Sequence, residues 1–379
     1  MGDPVSTALY VHIPFCERRC GYCSFAVSTS PNRALWERYV RAVILELDRW
    51  QGQFSVGSIF FGGGTPSLLS AELLGTLVRA IEERFDVDDG IERCIEAHPS
   101  TLLDADAKDK LAGFIRLGFN RLSLGIESFC PSTLENLRRR YKPQDVAALT
   151  ELAREAGFAN MNFDLIFGWP WESERDFEES LETTTTLAPE HISIYPLAIE
   201  ELTPFEKLGV RVDPDQQARL YLSAHDYLER MGWEHYEIAN FCRPGNRSKH
   251  NMRYWRYDDY LGVGLGAASK IGNLAFTNGR GMSPYLAAAQ SRLNPAVETI
   301  DLNAAEIWRR RTILGLRLKE GVCVAALGGL RSHPTVEHFW NSGRLVEQDG
   351  RACLTPEGWL VSNQLFGAID ADEKIESLC

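Results

Sequence analysis

The stretch "HIPFCERRCGYCSF" carries three cysteines within eight residues, Cys16, Cys20 and Cys23, and then a phenylalanine at Phe25. The C-x3-C-x2-C spacing puts three thiols on one loop, one fewer than the four that close a structural zinc site or saturate an ordinary iron–sulfur cluster. Three thiolates leave a metal position open, as a 4Fe-4S cluster needs when its fourth iron binds a substrate. The other reading is a zinc site closed by a remote cysteine, with Cys94, Cys130, Cys242, Cys323, Cys353 and Cys379 as candidates. These six are scattered, and as small apolar side chains they belong in a core.

Other residues able to bind or react sit in short polar segments. In "FGGGTPS", Gly62, Gly63 and Gly64 lack Cβ atoms and let a ligand approach backbone N–H and C=O groups. Glu96 follows in "CIEAHP", Glu127 in "RLSLGIESF" with Arg139 twelve residues later, and Asp164 in "FDLIFGWP". A second constellation surrounds His250, where Arg243, Arg247, Lys249, Arg253 and Arg256 supply five cations suited to a ligand with carboxylates. A neutral imidazole there is either an iron ligand or a loop histidine bonded to backbone. "GVGLGAAS", 262–269, reads as a loop packed beside the ligand pocket rather than as a dinucleotide turn. His12, His191, His225, His235, His333 and His338 show no ligand spacing.

Composition narrows the classes. A chain of 379 residues, 44% hydrophobic and 24% charged, has material for one large domain and a smaller one. The formal charge of -12 would repel nucleic acid outside a local basic patch. No apolar run reaches the roughly 18 residues of a membrane span, and the first residues do not resemble a signal peptide. The expected location is the cytoplasm, where nine cysteines, an odd number, argue against a disulfide scaffold.

The elements that must position these residues recur with a beat. Short β-rich runs at 8–13, 58–64, 93–98, 121–128, 162–168 and 191–198 are each followed by a helical segment. Helices are expected at 35–50 and 73–85, with Ser70 and Ser173 as N-caps and Gly157 as a C-cap. Six βα units predict a parallel sheet curled toward a full or partial barrel, with the site at the C-terminal ends of its strands. After Leu302 the pattern becomes helix, helix, a hairpin turning at Asp349-Gly350, and a closing helix over 356–369, a winged-helix-like order. The expected division is 1–240 barrel, 241–300 extension and 301–379 terminal domain.

The cysteine loop, "FGGGTPS", Glu96 and "RLSLGIESF" together resemble the radical S-adenosylmethionine (SAM) superfamily. The resemblance implies an α/β fold, a partial (β/α)6 TIM-type barrel, and a 4Fe-4S cluster on Cys16, Cys20 and Cys23. It also implies SAM contacts at Tyr10, Tyr22, Gly63, Gly64 and Thr65 near the cluster, and at Glu96, Arg139, Asp164 and the backbone of Ala198. Glu127 stands where the family usually has glutamine; it keeps an acceptor for the ribose hydroxyls, loses the amide donor and adds charge. His98 stands where related chains more often have asparagine.

Within the superfamily, residues 235–272 and the terminal segment resemble the HemN and HemW group, and the resemblance covers nearly the whole chain. HemN-type enzymes have a further cysteine where this chain has Phe25, and an extension ahead of the cysteine loop for which a loop starting at residue 16 is expected to leave no room. HemW-type proteins share H-N-x-x-Y-W, present as His250, Asn251, Tyr254 and Trp255. The likeness implies a haem chaperone that binds the cluster, SAM and haem, with haem at His250 and Tyr254. Its partners would be an electron donor such as flavodoxin or ferredoxin and a haem-acceptor protein. If radical chemistry occurs, the resemblance implies reductive cleavage of SAM to methionine and a 5′-deoxyadenosyl radical. Two other readings stand beside it: an oxygen-independent coproporphyrinogen III oxidase, and a HemW-like radical SAM methyltransferase, for which Glu127 and His98 leave room.

Overall fold

The computed structural model describes residues 6–371, so Cys379 lies outside the described residues. Six strands, β1 (Thr7–Ile13), β2 (Ser55–Gly63), β3 (Asp86–Ala97), β4 (Arg121–Glu127), β5 (Met161–Phe167) and β6 (His191–Pro196), lie side by side in chain order and all parallel. Between them run α1 (Arg33–Leu47), α2 (Ala71–Arg84), α3 (Ala107–Arg116), α4 (Pro131–Asn136), α5 (Pro143–Ala156) and α6 (Glu174–Thr186). The outer strand faces are apolar and meet these helices, as Tyr39, Val40, Val43 and Leu47 of α1 show at helical spacing. The inner face is polar: Cys94 and Glu96, Ser123, Asn162 and Asp164, and Ser193 alternate inward on β3 to β6.

The expected caps form. Ser70 Oγ accepts from the Leu73 N–H at 3.4 Å, Ser173 and Asp176 cap each other reciprocally, and Gly157 closes α5 at φ 114°. The first helix ends earlier than its apolar pattern suggests, tightening into a 3-10 turn over Asp48–Trp50.

The sheet does not stop at six strands. After α7 (Pro204–Lys207) and α8 (Pro214–Arg230) come β7 (Glu234–Glu237) and β8 (Asn240–Cys242), and β8 pairs antiparallel with β6. A short helix, α9 (Lys249–Trp255), precedes β9 (Tyr260–Val263), which pairs parallel with the far edge, β1. Beyond it β10 (Ala268–Ile271), β11 (Leu274–Asn278) and, after α10 (Met282–Gln290), β12 (Ala296–Asp301) complete a twelve-stranded sheet. Both barrel edges are thereby covered. The expected boundary at 240 falls inside β8, and the 241–300 extension is part of the sheet.

The glycine-rich segment 262–269 is therefore not a pocket loop: it spans the end of β9, a turn and the start of β10. A Cβ on Gly262 would meet Ala268 O at 2.2 Å, and one on Gly264, at φ 101°, would meet the Tyr39 hydroxyl at 2.5 Å. Gly262 admits the close approach of β10, and Gly264 the packing against Tyr39 of α1. There the buried carboxylate of Glu46 accepts from Gly264 N–H at 2.9 Å, Tyr285 O–H at 2.6 Å and Asn278 Nδ2 at 2.6 Å.

The terminal domain comprises α11 (Ala304–Gly315), β13 (Val322–Cys323), a kinked 3-10 stretch, α12 (Pro334–Asn341), β14 (Leu345–Gln348), β15 (Arg351–Leu354), α13 (Pro356–Leu360) and α14 (Ser362–Asp370). The hairpin turns at Asp349 and Gly350, both at positive φ (51° and 72°), as the Asp-Gly pair predicts. Two details differ from expectation: β13 adds a third strand, and the closing helix breaks in two at Val361. Trp359 docks the domain, its Nε1 donating to Leu316 O at 3.3 Å and its ring lying 4.6 Å from that of His235. Cys94, Cys130, Cys242 and Cys353 are buried, whereas Cys323 is exposed and no core residue. Among the described residues no helix is long and apolar enough to cross a membrane.

Candidate functional site

A cavity of about 490 Å³ opens at the C-terminal ends of β1 to β6, and all three clustered thiols line it. The loop that carries them is anchored twice. Cys16 N–H donates to Ser28 O at 3.0 Å, and Phe205 N–H donates to Gly21 O at 2.8 Å. A Cβ on Gly21 would stand 2.1 Å from the Phe205 ring, so any side chain between Cys20 and Tyr22 would displace that ring. Thr65 Oγ1 donates to Cys16 Sγ at 3.6 Å, and Arg139 Nη2 to Cys20 Sγ at 3.1 Å. Burial pushes the Cys16 thiol up to about 11, and neighbouring thiolate charge adds to this, so its ionisation awaits a positive partner.

Among the described residues no three His, Cys, Asp or Glu side chains converge on one point as a single metal ion requires. A cubane takes each thiolate on a different iron. Three half-buried thiols on one cavity wall, two of them accepting hydrogen bonds, therefore suit a cluster better than a zinc ion.

The next wall comes from β2, β3 and β5. Gly63, at φ 108°, donates its N–H to Glu96 Oε2 at 2.9 Å. A Cβ on Gly64 would meet Ile13 O and Phe15 O at 2.8 Å, which explains how the end of β2 packs on the thiol loop. Burial, then the charge of Asp164, pushes Glu96 up to about 8; the Gly63 bond opposes this. Asp164 accepts from Ser123 Oγ and Asn162 Nδ2, both at 2.9 Å, and burial raises it above the usual carboxylate range. Neither carboxylate forms an ion pair among the described residues, so a ligand's cationic group would stabilise both.

The third wall is a buried ion pair. Glu127 lies at φ 67° where the register between β4 and β5 shifts. Its carboxylate accepts from Arg139 Nε and Nη2 and from the Tyr22 hydroxyl, with the Arg139 and Glu127 side chains 4% and 7% exposed. His98 stands beside the pair. Its Nδ1 accepts from Ser100 N–H at 3.3 Å, its Nε2 has no partner, and burial followed by the Arg139 charge lowers it to about 4, so the ring is neutral. Tyr195 and Ala198 close the cavity, and Phe25, 60% exposed, stands at its mouth.

The fold thus brings together Cys16, Cys20 and Cys23 with Tyr22, Gly63, Gly64 and Thr65, and faces them with Glu96, Glu127, Arg139, Asp164 and Ala198. Tyr10 is not on the wall; its hydroxyl lies 3.0 Å from His12 Nδ1 and its ring packs against Phe60. Sequence reasoning assigned no role to Ser123, Tyr195, His98 or Ser100, which also line the cavity. For Ser123 and Tyr195 the signal is alternation along the strand, which points the odd positions of β4 and β6 inward, whereas His98 and Ser100 lie past the end of β3, at a 3-10 turn over Pro99–Leu102.

His250 and Tyr254 lie elsewhere, and the structure corrects the reading of an available iron ligand. His250 is 0% exposed, with Nδ1 3.0 Å from Ser58 Oγ and Nε2 2.8 Å from the Tyr254 hydroxyl. Burial, then Arg253, lowers its pKa to about 3. Glu92, on β3, accepts from the N–H groups of Lys249 and His250 at 3.1 and 2.9 Å and from Ser248 Oγ at 3.3 Å, fixing α9 across the opposite end of the barrel. Nor do the five cations form one patch: Arg247 pairs with Glu234 and Glu320, Arg253 donates to Ser6 O at 2.9 Å, and Arg243 stacks 4.3 Å above Trp233.

Comparison with known proteins adds three findings. The sequence profile of the Radical SAM superfamily matches residues 10–184, and that of the HemN C-terminal domain matches residues 302–361. The chain is 33% identical to the heme chaperone HemW of Synechocystis sp., over 96% of each chain, and 33% identical to that of Bacillus subtilis, over 95% of this chain and 98% of the relative. The solved structure of coproporphyrinogen III oxidase (HemN) from Escherichia coli, described as a radical SAM enzyme, superposes with a TM-score of 0.82 over 97% of this chain and 90% of the other, at 23% identity. That last likeness concerns the fold.

Proposed function

The chain belongs to the HemW family of radical SAM proteins, and from that premise we propose that it binds a 4Fe-4S cluster, SAM and haem, and hands haem to an acceptor protein in the cytoplasm. The observation that carries the reading is the cavity itself, with three thiols on one wall and, on the next, two carboxylates that form no ion pair among the described residues. Cys16, Cys20 and Cys23 would hold the cluster, which when bound supplies an electron to its ligand. Glu96 and Asp164 would take the cationic end of SAM, and the Ala198 backbone would lie near its adenine. Arg139, held by Glu127 and Tyr22, keeps its charge beside Cys20. Neutral His98 leaves one ring nitrogen for the bound ligand. Haem meets the protein away from His250, whose two ring nitrogens are both engaged. Phe25 gives the cavity mouth an apolar face where a cysteine would offer a reactive thiol.

A second reading is oxidative decarboxylation of coproporphyrinogen III, since the solved structure that shares this fold is named a coproporphyrinogen III oxidase. One experiment separates the two: anaerobic incubation of the cluster-loaded protein with SAM, a reductant and either haem or coproporphyrinogen III. A Soret band from bound haem and no decarboxylated product is the expected result. Decarboxylated porphyrinogen accumulating over many turnovers would replace the chaperone by the enzyme.

A further inference from the structure

We infer that a second cavity, between α2 and α3 toward the end of the barrel opposite the thiols, binds a phosphate group, either as the free ion or on a small organic ester. Its volume is about 420 Å³, and it shares no lining residue with the thiol cavity. An irregularity in β3 opens it. The second strand advances from Val56 to Ser58 while its partner runs from Val87 to Glu92, so residues 88–91 stand outside the ladder, with Gly90 at φ 69°. Arg79 of α2, Arg93 of β3 and Arg116, the last residue of α3, line the space so formed.

The three guanidiniums are held differently. Arg93 is the fixed one: its side chain is 17% exposed, and Nη1 donates to Glu82 Oε1 at 2.6 Å and to Leu117 O at 3.4 Å. Asn120 clamps the backbone around it, accepting from Arg93 N–H at 2.9 Å and donating to Ile91 O at 2.7 Å. Arg79 and Arg116 are exposed arms. Arg79 donates to the Thr76 hydroxyl at 3.3 Å, the Arg116 side chain has no hydrogen bond, and neither makes an ion pair among the described residues. Elsewhere this chain pairs its surface cations freely, as Arg33 with Glu37 and Glu72 and Arg154 with Glu190. A cation in the last turn of a helix eases the helix dipole, which accounts for Arg116 but not for Arg79 in the middle of α2. Glu82 is the carboxylate in the lining; Asp88 and Asp89 are exposed outside it. One fixed fork and two free ones around one carboxylate leave room for a dianion, and guanidiniums meet phosphate oxygens two at a time. Val78, Ile91 and Leu117 add an apolar wall beside them, which suits the body of an ester.

The test is titration calorimetry on the full chain at low ionic strength, with inorganic phosphate, phenyl phosphate and benzoate as probes. Both phosphates should bind, and benzoate, with its single charge, should bind at least about tenfold more weakly than phenyl phosphate. Phenyl phosphate ahead of inorganic phosphate would assign the site to an ester, and the reverse order to the free ion. Arg79→Ala/Arg116→Ala should lose at least about tenfold in phosphate affinity. Its melting temperature without ligand should match the wild type, since both side chains are exposed. Glu82→Gln should tighten binding about threefold, because it frees Arg93 and removes a competing charge. Heats no larger than dilution with both phosphates would overturn the inference. So would phosphate affinity unaltered in the double variant, benzoate binding as tightly as phenyl phosphate, or weaker binding in Glu82→Gln.

Discussion

The two ends of the barrel are built from the same kinds of side chain and differ in how completely those side chains are satisfied. At the α9 end, Glu92 accepts three hydrogen bonds, and His250 engages Ser58 and Tyr254 through both ring nitrogens. At the thiol end, Glu96 accepts one backbone N–H, His98 keeps an unpartnered Nε2, and among the described residues neither Glu96 nor Asp164 forms an ion pair. A buried polar group with all its partners is structure, whereas one left incomplete beside a cavity marks where a ligand completes it. The sequence motif around His250 looks more like a binding site than "CIEAHP" does, yet the hydrogen bonds reverse the order.

The contrast can be broken most sharply by removing the thiols. Protein reconstituted without oxygen should hold about four irons per chain, and Cys16→Ala, Cys20→Ala and Cys23→Ala together should abolish them; zinc in the wild-type protein, or iron retained in the variant, would end the cluster assignment. The next largest effect belongs to the other end. Glu92→Ala leaves two N–H groups and a hydroxyl unpaired and should cost about 3 kcal/mol, and His250→Ala about 2 kcal/mol, in denaturant unfolding. Glu96→Ala should cost almost nothing, since it removes a carboxylate that is poorly compensated until a ligand arrives. In the folded His250→Ala protein the Soret band of bound haem should not move.

Third comes affinity. Glu96→Ala and Arg139→Ala should each weaken SAM binding about tenfold, roughly 1.4 kcal/mol, by calorimetry; unchanged affinity in both would move the pocket. Fourth, pH should act through Glu96. With its pKa near 8 in the folded protein, ionisation rises about fivefold between about pH 7 and pH 8, and the affinity for a cationic ligand should rise with it. In the ligand-free protein the sign is opposite. The folded state holds this proton more tightly than the unfolded chain does, so the stability it contributes is present below the ordinary carboxylate pKa and lost as pH climbs toward 8. A Glu96→Gln protein with the same melting profile across that window would remove Glu96 as the cause. The smallest effect is Glu127→Gln, which should keep or tighten SAM affinity by less than about threefold; a loss would mean that the carboxylate itself contacts SAM.

What the sequence discloses is mostly local and periodic. The βα beat, the caps at Ser70 and Ser173, the Asp349-Gly350 turn and the spaced thiols are fixed by residues a few positions apart. The rest depends on partners far along the chain. His250 reads as a basic surface site because its neighbours in sequence are cations, but Glu92 and Ser58, which decide its environment, are 158 and 192 residues away. The glycines of 262–269 read as a loop packed beside the ligand pocket, and only the pairing of β9 with β1 and β10 shows that they serve strand packing. Tyr10 belongs to the inward set of β1 and sits one layer too deep, a difference of depth that alternation does not encode.

The pairing of β9 with β1 also sets an order of events during synthesis. Tyr10 and Val11 pair with Gly262 and Val263, so one edge of β1 has no partner until residues 260–263 have left the ribosome. Over that interval β1 can pair with β2, yet its other edge is open to any extended strand nearby, a hazard for aggregation. The thiol loop follows directly on β1 and emerges long before β9 does. Cluster insertion is therefore best timed after translation, and a chain stalled before residue 260 would present bare thiols on an unfinished sheet.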